Sequence, residues 1–446
     1  MIKNENLNPV NRGCDGLGIN SNDRAQKTEE LKHMIRPDTV FQSVRSVNVT
    51  SDNRFLIITY ENSLPRIRVV DLEKLEFLPH TYGGHTDSVR LTSITRDNKA
   101  FHTASWDGSS RKYEIETGKC TQILSGFGRC PSCFLDPEQK FLFTASYDSD
   151  CDLESKNNGR CWDLKSGRTI RLYKHSKERI SPAAIDIVYE SGRVYTGSDD
   201  GYAYKWDLKG EKPLMEYFSL NGTVRKLALS VNYLAASCTD GVVRVHYKSS
   251  GEYYRYFYHG ERDIREVRIS KDETKLWSAS EYGSVYCHNL ITGERIYHKK
   301  VHSLWIWSIC LMDSEKILIT GSGDGSVAFL STGSGQMLAQ LYNLPGKNDF
   351  LITCPKDQAF PAGFFYTNNT DLIQVVMEDK EGRIREILDL NDPRRKAYIR
   401  KHNLKNLIIT RLKNNRHYNT LTENYICNKK ILDQISEQYK PPMLKA

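Results

Sequence analysis

The sequence has no apolar run of 18 residues, so none of it reads as a membrane-spanning helix. Its first twenty residues, MIKNENLNPVNRGCDGLGIN, lack the apolar core of an export signal and read as part of a polar, flexible segment over 1–37. Its eleven cysteines are an odd, scattered set rather than a disulfide framework. Without an export signal they read as reduced thiols of a cytoplasmic chain. The sequence has no G-x-S-x-G, no H-E-x-x-H and no kinase signature set. GSGDGS at 321–326 is Gly-rich but is not followed by the Lys-Ser/Thr of a phosphate loop. These absences argue against a transmembrane protein, a secreted disulfide scaffold and the motif-bearing enzymes. Neither a catalytic activity, nor a cofactor, nor a small-molecule substrate is expected.

The chain does have repetition. TASWDGSSRKYEIETGK (103–119), TGSDDGYAYKWDLKGE (196–211), AASCTDGVVRVHYKSSGE (235–252), SASEYGSVYCHNLITGE (278–294) and TGSGDGSVAFLSTGSGQ (320–336) share one plan. A short apolar strand ends in a small residue, a tight polar turn follows, then a second strand and a second turn. Aligning the turns on Asn62, Asp107, Asp148, Asp200, Asp240, Tyr282 and Asp324 gives steps of 45, 41, 52, 40, 42 and 42 residues. A period near 42 with four strands per unit is the signature of a propeller blade. With 39% hydrophobic residues over 446 positions, the chain can bury a core of that size.

These residues resemble the WD40 repeat family. Gly84-His85, Ser105 and Asp107 match its pattern, and Trp162-Asp163 and Trp206-Asp207 match its terminal dipeptide. The resemblance covers roughly 40–343. It implies an all-β, seven-bladed propeller with blades near 38–81, 82–124, 125–173, 174–215, 216–257, 258–300 and 301–343. It also implies a hydrogen-bonded tetrad of turn Asp, His, hydroxyl and indole, which would keep buried polar groups satisfied. Blade 2 would supply His85, Ser105 and Asp107 with Tyr113 in the Trp position, and blade 4 His175, Ser198, Asp200 and Trp206. Blades 5, 6 and 7 carry His246, His288 and Leu330 at that position and should depend more on apolar packing. The outer strand of blade 7 is expected from TVFQS (39–43) or from QMLAQLYN (336–343), a choice the sequence leaves open.

Relative to blade 4, blade 3 carries eight extra residues between its turn Asp and its Trp, within YDSDCDLESKNNGR (147–160). This is a loop composition, equally readable as a tolerated surface loop or as part of a binding face. Beyond blade 7, residues 344–391 read as a β appendage, preferred over an eighth blade. It weakly resembles the extensions of some bacterial WD-repeat proteins. Residues 392–446 read as a basic helical extension, with helices over 392–414 and 421–440. Residues 381–446 hold 15 basic and 7 acidic side chains, which is the whole +8 of the chain. Such a tail suits an acidic partner, an RNA or a membrane surface, or is a solvated helix pair against the propeller side; docking of a protein is the favoured reading.

Two clusters are candidates for chemistry. Cys130, Cys133, Cys151 and Cys161 contain one C-x2-C pair, but the second pair is nine residues apart, and Cys130 and Cys133 should point to opposite faces of a strand. They read as small buried hydrophobes rather than a metal site. The other cluster opens the innermost strands. Arg45, Arg90, Arg225 and Arg265 each follow the first apolar residue, and Trp307 holds that place in blade 7, two after Trp305. The WD40 resemblance implies that this position faces the rim of the central channel, joined there by Trp106, Tyr147 and Asp199. Arginine and tryptophan are hot-spot residues, and guanidinium groups suit carboxylate or phosphate. The reading is a scaffold or recognition subunit that binds an acidic protein partner. A nucleic-acid or phospho-ligand binder is the alternative.

Overall fold

The computed structural model describes residues 30–35, 42–61, 66–126, 128–147, 159–174, 184–210, 212–218, 222–343, 349–355, 364–378 and 384–414. Six four-stranded antiparallel meanders and one six-stranded sheet follow one another along the chain. Their innermost strands are Val44–Val49, Val89–Ile94, Arg129–Leu135, Ala184–Glu190, Val224–Leu229, Ile264–Ile269 and Ile306–Leu311. Each of these neighbours the next around a ring, and the last neighbours the first. The chain is a seven-bladed β-propeller.

Burial explains the composition of each strand. The second strand of a blade lies between two neighbouring sheets, so it is buried on both faces, as in Phe55–Tyr60, Ala100–Ser105 and Ile317–Ser322. Such strands are continuously apolar or small. The fourth strands Cys120–Ser125 and Arg295–Lys300 lie at the rim and are mostly exposed. Each of the seven interfaces between blades holds its own apolar cluster. The core is therefore a ring of seven sandwiches.

Met337–Asn343 completes blade 7, so the choice left open by the sequence falls on 336–343. Residues 39–41 lie outside the described residues, and Gln42 and Ser43 belong to no strand. No strand is exchanged between the ends of the ring among the described residues. The seam is held by packing and a few bonds. Val47 N–H donates to Ser308 Oγ at 3.3 Å, and Asp313 N–H donates to Asn53 Oδ1 at 2.9 Å. At Gly321 an added Cβ would lie 2.6 Å from Val44 Cγ1, so the seam closes at this distance only because that position has no side chain.

The appendage does not form an eighth blade. Phe350–Cys354 and Phe364–Thr367 extend blade 7 outward to six strands. Ile373–Glu378 and Ile384–Ile387 form a separate sheet with Glu30–Ile35, pairing Leu31 with Met377 and Ile35 with Ile373. The flexible segment expected over 1–37 is thus corrected at 30–35, which gains a sheet partner more than 330 residues away; residues 1–29 lie outside the described residues. The single helix expected over 392–414 is two: α1, Pro393–His402, and α2, Lys405–Asn414. It breaks because Leu404 N–H donates to Phe365 O at 2.7 Å and Asn403 Oδ1 accepts from Thr367 N–H at 3.1 Å, diverting the backbone to the appended strand. The helix expected over 421–440 lies outside the described residues. No described helix is long and apolar enough to cross a membrane.

Candidate functional site at the channel mouth

The polar residues of the turns stabilise the blades. In blade 2, His85 Nδ1 lies 2.7 Å from Asp107 Oδ2 and His85 Nε2 lies 2.7 Å from Thr103 Oγ1. Burial pushes the Asp107 carboxyl up, but the hydrogen bonds of His85 and Ser109 outweigh it and hold the group well below the usual carboxylate range. The hydroxyl in this chain is Thr103, not the expected Ser105. Ser105 instead accepts from the Asp107 N–H and donates to Asp87 O. The same correction applies in blade 4, where Trp206 Nε1 donates to Thr196 Oγ1 at 2.8 Å rather than to Ser198. Asp200 there accepts from the Tyr202 N–H, and His175 lies outside the described residues. The strand position facing the imidazole is two residues earlier than expected, a consequence of the two-residue pleat. Tyr113 does not complete the tetrad, because its hydroxyl donates to Gly83 O at 2.7 Å.

Blades 6 and 7 are more polar than expected. His302 contacts Thr320 Oγ1 at 2.7 Å and Asp324 Oδ2 at 3.2 Å, although Leu330 replaces the indole. In blade 6, where Tyr282 replaces the turn Asp, Glu261 supplies a carboxylate to Ser280 and Ser284, and His259 contacts Ser278 at 2.6 Å. The blade 6 interactions are invisible to a motif anchored on the turn Asp.

Among the described residues the candidate cysteines fall into two separate clusters. Cys130 and Cys133 pack into the same cluster between blades 2 and 3, and Cys161 packs into the one between blades 3 and 4. The expected opposite orientation of Cys130 and Cys133 fails because the strand is irregular between Arg129 and Ser132, which breaks the alternation. Cys151 lies outside the described residues.

The same irregularity recurs in every blade and builds the mouth of the channel. Pairing of the first two strands slips between Val44 and Ser46, Val89 and Leu91, Arg129 and Ser132, Ala184 and Asp186, Val224 and Lys226, Ile264 and Glu266, and Ile306 and Ser308. A bulge leaves an extra residue out of the ladder and re-aims its side chain. The re-aimed residues are Arg45, Arg90, Pro131, Ile185, Arg225, Arg265 and Trp307, one from each blade. All seven line one cavity of about 400 Å³. Trp106 and Asp199 also line it. The backbone of Tyr147 pairs with Arg129 beside it, and the Tyr147 side chain is not described.

Trp307 organises the arginines. Arg45 Cζ lies 3.7 Å from the centroid of its ring, Arg265 4.1 Å and Arg90 5.2 Å. Arg90 also lies 4.3 Å from Trp106, and Trp305 meets Trp307 edge-on at 5.2 Å. The ring faces attract and orient the cations. Two carboxylates that motif reading missed share the arginines between them. Glu61 is ion-paired with Arg45 and lies 4.0 Å from Arg90. Asp263 takes Arg225 in a fork at 2.9 and 3.0 Å and Arg265 at 2.6 Å. Asp263 holds φ at 49°, a left-handed conformation, unusual for a non-glycine residue, that the mouth maintains. The spacing of Asp263-Ile264-Arg265 is the one sequence signal that could have revealed it.

The charge at the mouth is unbalanced. Burial, then the charges of Arg90 and Arg265, push Arg45 down to about 8, and burial followed by Arg265 and Arg225 pushes Arg90 down to about 9. A guanidinium keeps its proton in proteins, so these shifts express first the burial of the charges and then their mutual repulsion, which an anion would relieve. Arg45 Nε and Nη1, Arg90 Nη1 and Arg265 Nε are buried and make no hydrogen bond among the described residues. Below the mouth the floor is compensated. Asp186 accepts from Ser132, Lys226 and the Leu227 N–H, and Glu266, whose carboxyl burial pushes up, pairs with Arg268 at 2.9 Å.

Seven radial sheets, two of them with a His-Asp turn among the described residues, form a β-propeller similar to WD-repeat proteins. Residues 293–329 match the family model described as "WD domain, G-beta repeat". The chain is similar to the guanine nucleotide-binding protein subunit beta of Saccharomyces cerevisiae, 24% identical over 273 residues that make up 58% of each chain. It is also similar to WD repeat-containing protein 37 of Xenopus laevis, 25% identical over 29% of this chain and 24% of that one, and to the WD repeat-containing protein 91 homolog of Dictyostelium discoideum, 19% identical over 64% and 38%. The aligned stretch is under two thirds of the length of each of these relatives. The likeness fits a protein-interaction scaffold.

Proposed function

We propose that the chain is a cytoplasmic, non-catalytic recognition subunit of a multi-protein complex, and that it holds an acidic segment of a protein partner at the channel mouth. The observation that carries this is the convergence of Arg45, Arg90 and Arg265 on Trp307, with Arg225 and Trp106 lining the same cavity and buried guanidinium N–H groups left unbonded among the described residues. Leu304, Trp305 and Tyr282 are each about half exposed and give the partner apolar contact area. Aromatic and arginine anchors of this kind dominate binding energy at interfaces. The similarity to WD-repeat proteins supports a rigid surface presented to other proteins.

The test is affinity purification of the intact chain beside an Arg90→Glu/Arg265→Glu variant, followed by cross-linking of any partner. A stoichiometric partner that is lost from the variant, and that cross-links to the rim through an acidic segment, is expected. A partner retained by the variant would move the site elsewhere. Recovery of nucleic acid alone, released by salt, would favour the phosphate-backbone alternative.

A further inference from the structure

We infer that the group received in the channel mouth is a phosphorylated side chain of the partner, a phosphomonoester rather than a carboxylate. This rests on the reading of the mouth as a partner-binding site and specifies what enters it.

The first argument is charge. Four guanidinium groups at the mouth are ion-paired with two carboxylates, Glu61 and Asp263, and the further charges there, Asp199 on the cavity wall and Arg129 at 5.4 Å from Trp106, are one of each sign. The excess of two positive charges matches a phosphomonoester, which carries between one and a half and two negative charges near neutrality, roughly. Asp87 and Glu281 also raise Arg90 and Arg265, but as the smallest contributions to each. The floor adds no net repulsion, because Asp186 and Glu266 are paired with Lys226 and Arg268.

The second argument is geometry. The unbonded donors sit on arginines from blades 1, 2 and 6, which approach from separate directions around the ring. A carboxylate offers two oxygens in one plane. A phosphoryl group offers three oxygens arranged tetrahedrally and accepts from donors on several sides. Stacking on Trp307 holds the guanidinium groups in place before the ligand arrives, so little ordering is left for binding. The exposed Trp305, Leu304 and Tyr282 beside the mouth favour a ligand with a chain attached over a free phosphate, which would leave them uncovered.

The experiment uses the full chain with three matched pools of degenerate peptides, carrying phosphoserine, serine or aspartate at a fixed position. Retention and fluorescence anisotropy are the readouts, with inorganic phosphate and a single-stranded oligonucleotide as competitors. Retention of the phosphoserine pool should exceed both others at least about tenfold, a difference that charge-assisted bonds can supply. Arg265→Met should abolish that preference, and Arg295→Gln, on the exposed outer strand of blade 6, should keep it. Asp263→Asn preserves the side-chain shape and tolerates the left-handed backbone while removing a competing charge, so it should tighten phosphopeptide binding. It also covers the case in which Arg265→Met fails to fold. Equal retention of the serine and phosphoserine pools, or an unchanged or weakened Asp263→Asn variant, would overturn the inference. So would binding of inorganic phosphate without peptide preference, or preferred binding of the oligonucleotide. An acidic partner captured equally before and after phosphatase treatment would overturn the phosphomonoester while leaving the scaffold reading intact.

Discussion

The Arg45 guanidinium lies 3.7 Å from the centre of the Trp307 ring, joining the first blade to the last. The two residues are 262 positions apart and meet only when the ring is closed. Each occupies the bulge of its innermost strand. The candidate binding site and the seam of the propeller therefore share a contact.

Trp307→Leu should weaken both. It removes the ring that faces Arg45, Arg265 and Arg90, leaving three crowded cations with less compensation. A loss of roughly 1–3 kcal/mol is expected from cation–π contacts and burial together. Urea unfolding would show it as a lower midpoint at unchanged slope, and an unchanged midpoint would contradict the role given to the ring.

Thr103→Val tests the corrected hydroxyl of blade 2. It leaves His85 Nε2 buried without its partner at 2.7 Å and removes the acceptor of the Arg111 N–H at 3.0 Å, which together should cost about 1–3 kcal/mol. The shape of the residue is nearly preserved, so calorimetry reads the hydrogen bond rather than a cavity. A neutral result would return the role to Ser105.

The appendage should matter for ring closure. Ile408 and Leu412 of α2 lie in the same cluster as Val47 and Leu72 of blade 1 and Ile319 and Phe329 of blade 7. Phe350 meets Phe77 edge-on at 5.8 Å, so the appended strand also reaches blade 1. Ile408→Ala should destabilise by about 2–4 kcal/mol, with hydrogen exchange rising first in Val44–Val49 and Ile306–Leu311. Lys405→Ala breaks the pair with Glu76 at 2.6 Å, which is partly exposed, and should change stability little. Uniform exchange around the ring in Ile408→Ala would contradict the latch.

Stability should fall on the acid side well before the carboxylates titrate. Burial pushes His102 down to about 3, and His259 and His288 to about 4, against roughly 6.5 in the unfolded chain. Between those values the unfolded chain binds more protons, so stability is full above about pH 6.5 and drains as pH falls toward 4. Each histidine contributes a slope of up to about 1.4 kcal/mol per pH unit. Asp107 and Asp324, held low by His85 and His302 against burial, give up their contributions only below the usual aspartate range. A melting temperature that is flat from pH 7 to 4.5 would contradict this account.

Much of the propeller was legible because a blade is a local object. Strand, turn and strand fall within about 42 residues, and the small residues of AFHTAS and ILITGS are dictated by burial on both faces. The arginine pattern was legible for the same reason, since the bulge recurs at a fixed place in each repeat. Glu61 and Asp263 were not, because one carboxylate has no repeat signature. Thr103 and Thr196 were missed by two residues, because Thr103 and Ser105, like Thr196 and Ser198, share one face of their strand and a motif does not say which of the two meets its partner.

The sequence by itself determined the number of blades, the turns at Asp107, Asp200, Asp240, Tyr282 and Asp324, and five of the seven residues that the innermost strands offer to the axis. These follow from period, pleat and turn chemistry, which act over a few residues. The turns aligned on Asn62 and Asp148 lie outside the described residues. Only the tertiary structure decided that the ring closes without a shared strand among the described residues, that Glu30–Ile35 pairs with Ile373–Glu378, and that three arginines converge on one tryptophan. Those contacts join residues far apart in the chain. Their energies depend on distance and burial in the closed ring, which a linear pattern does not encode.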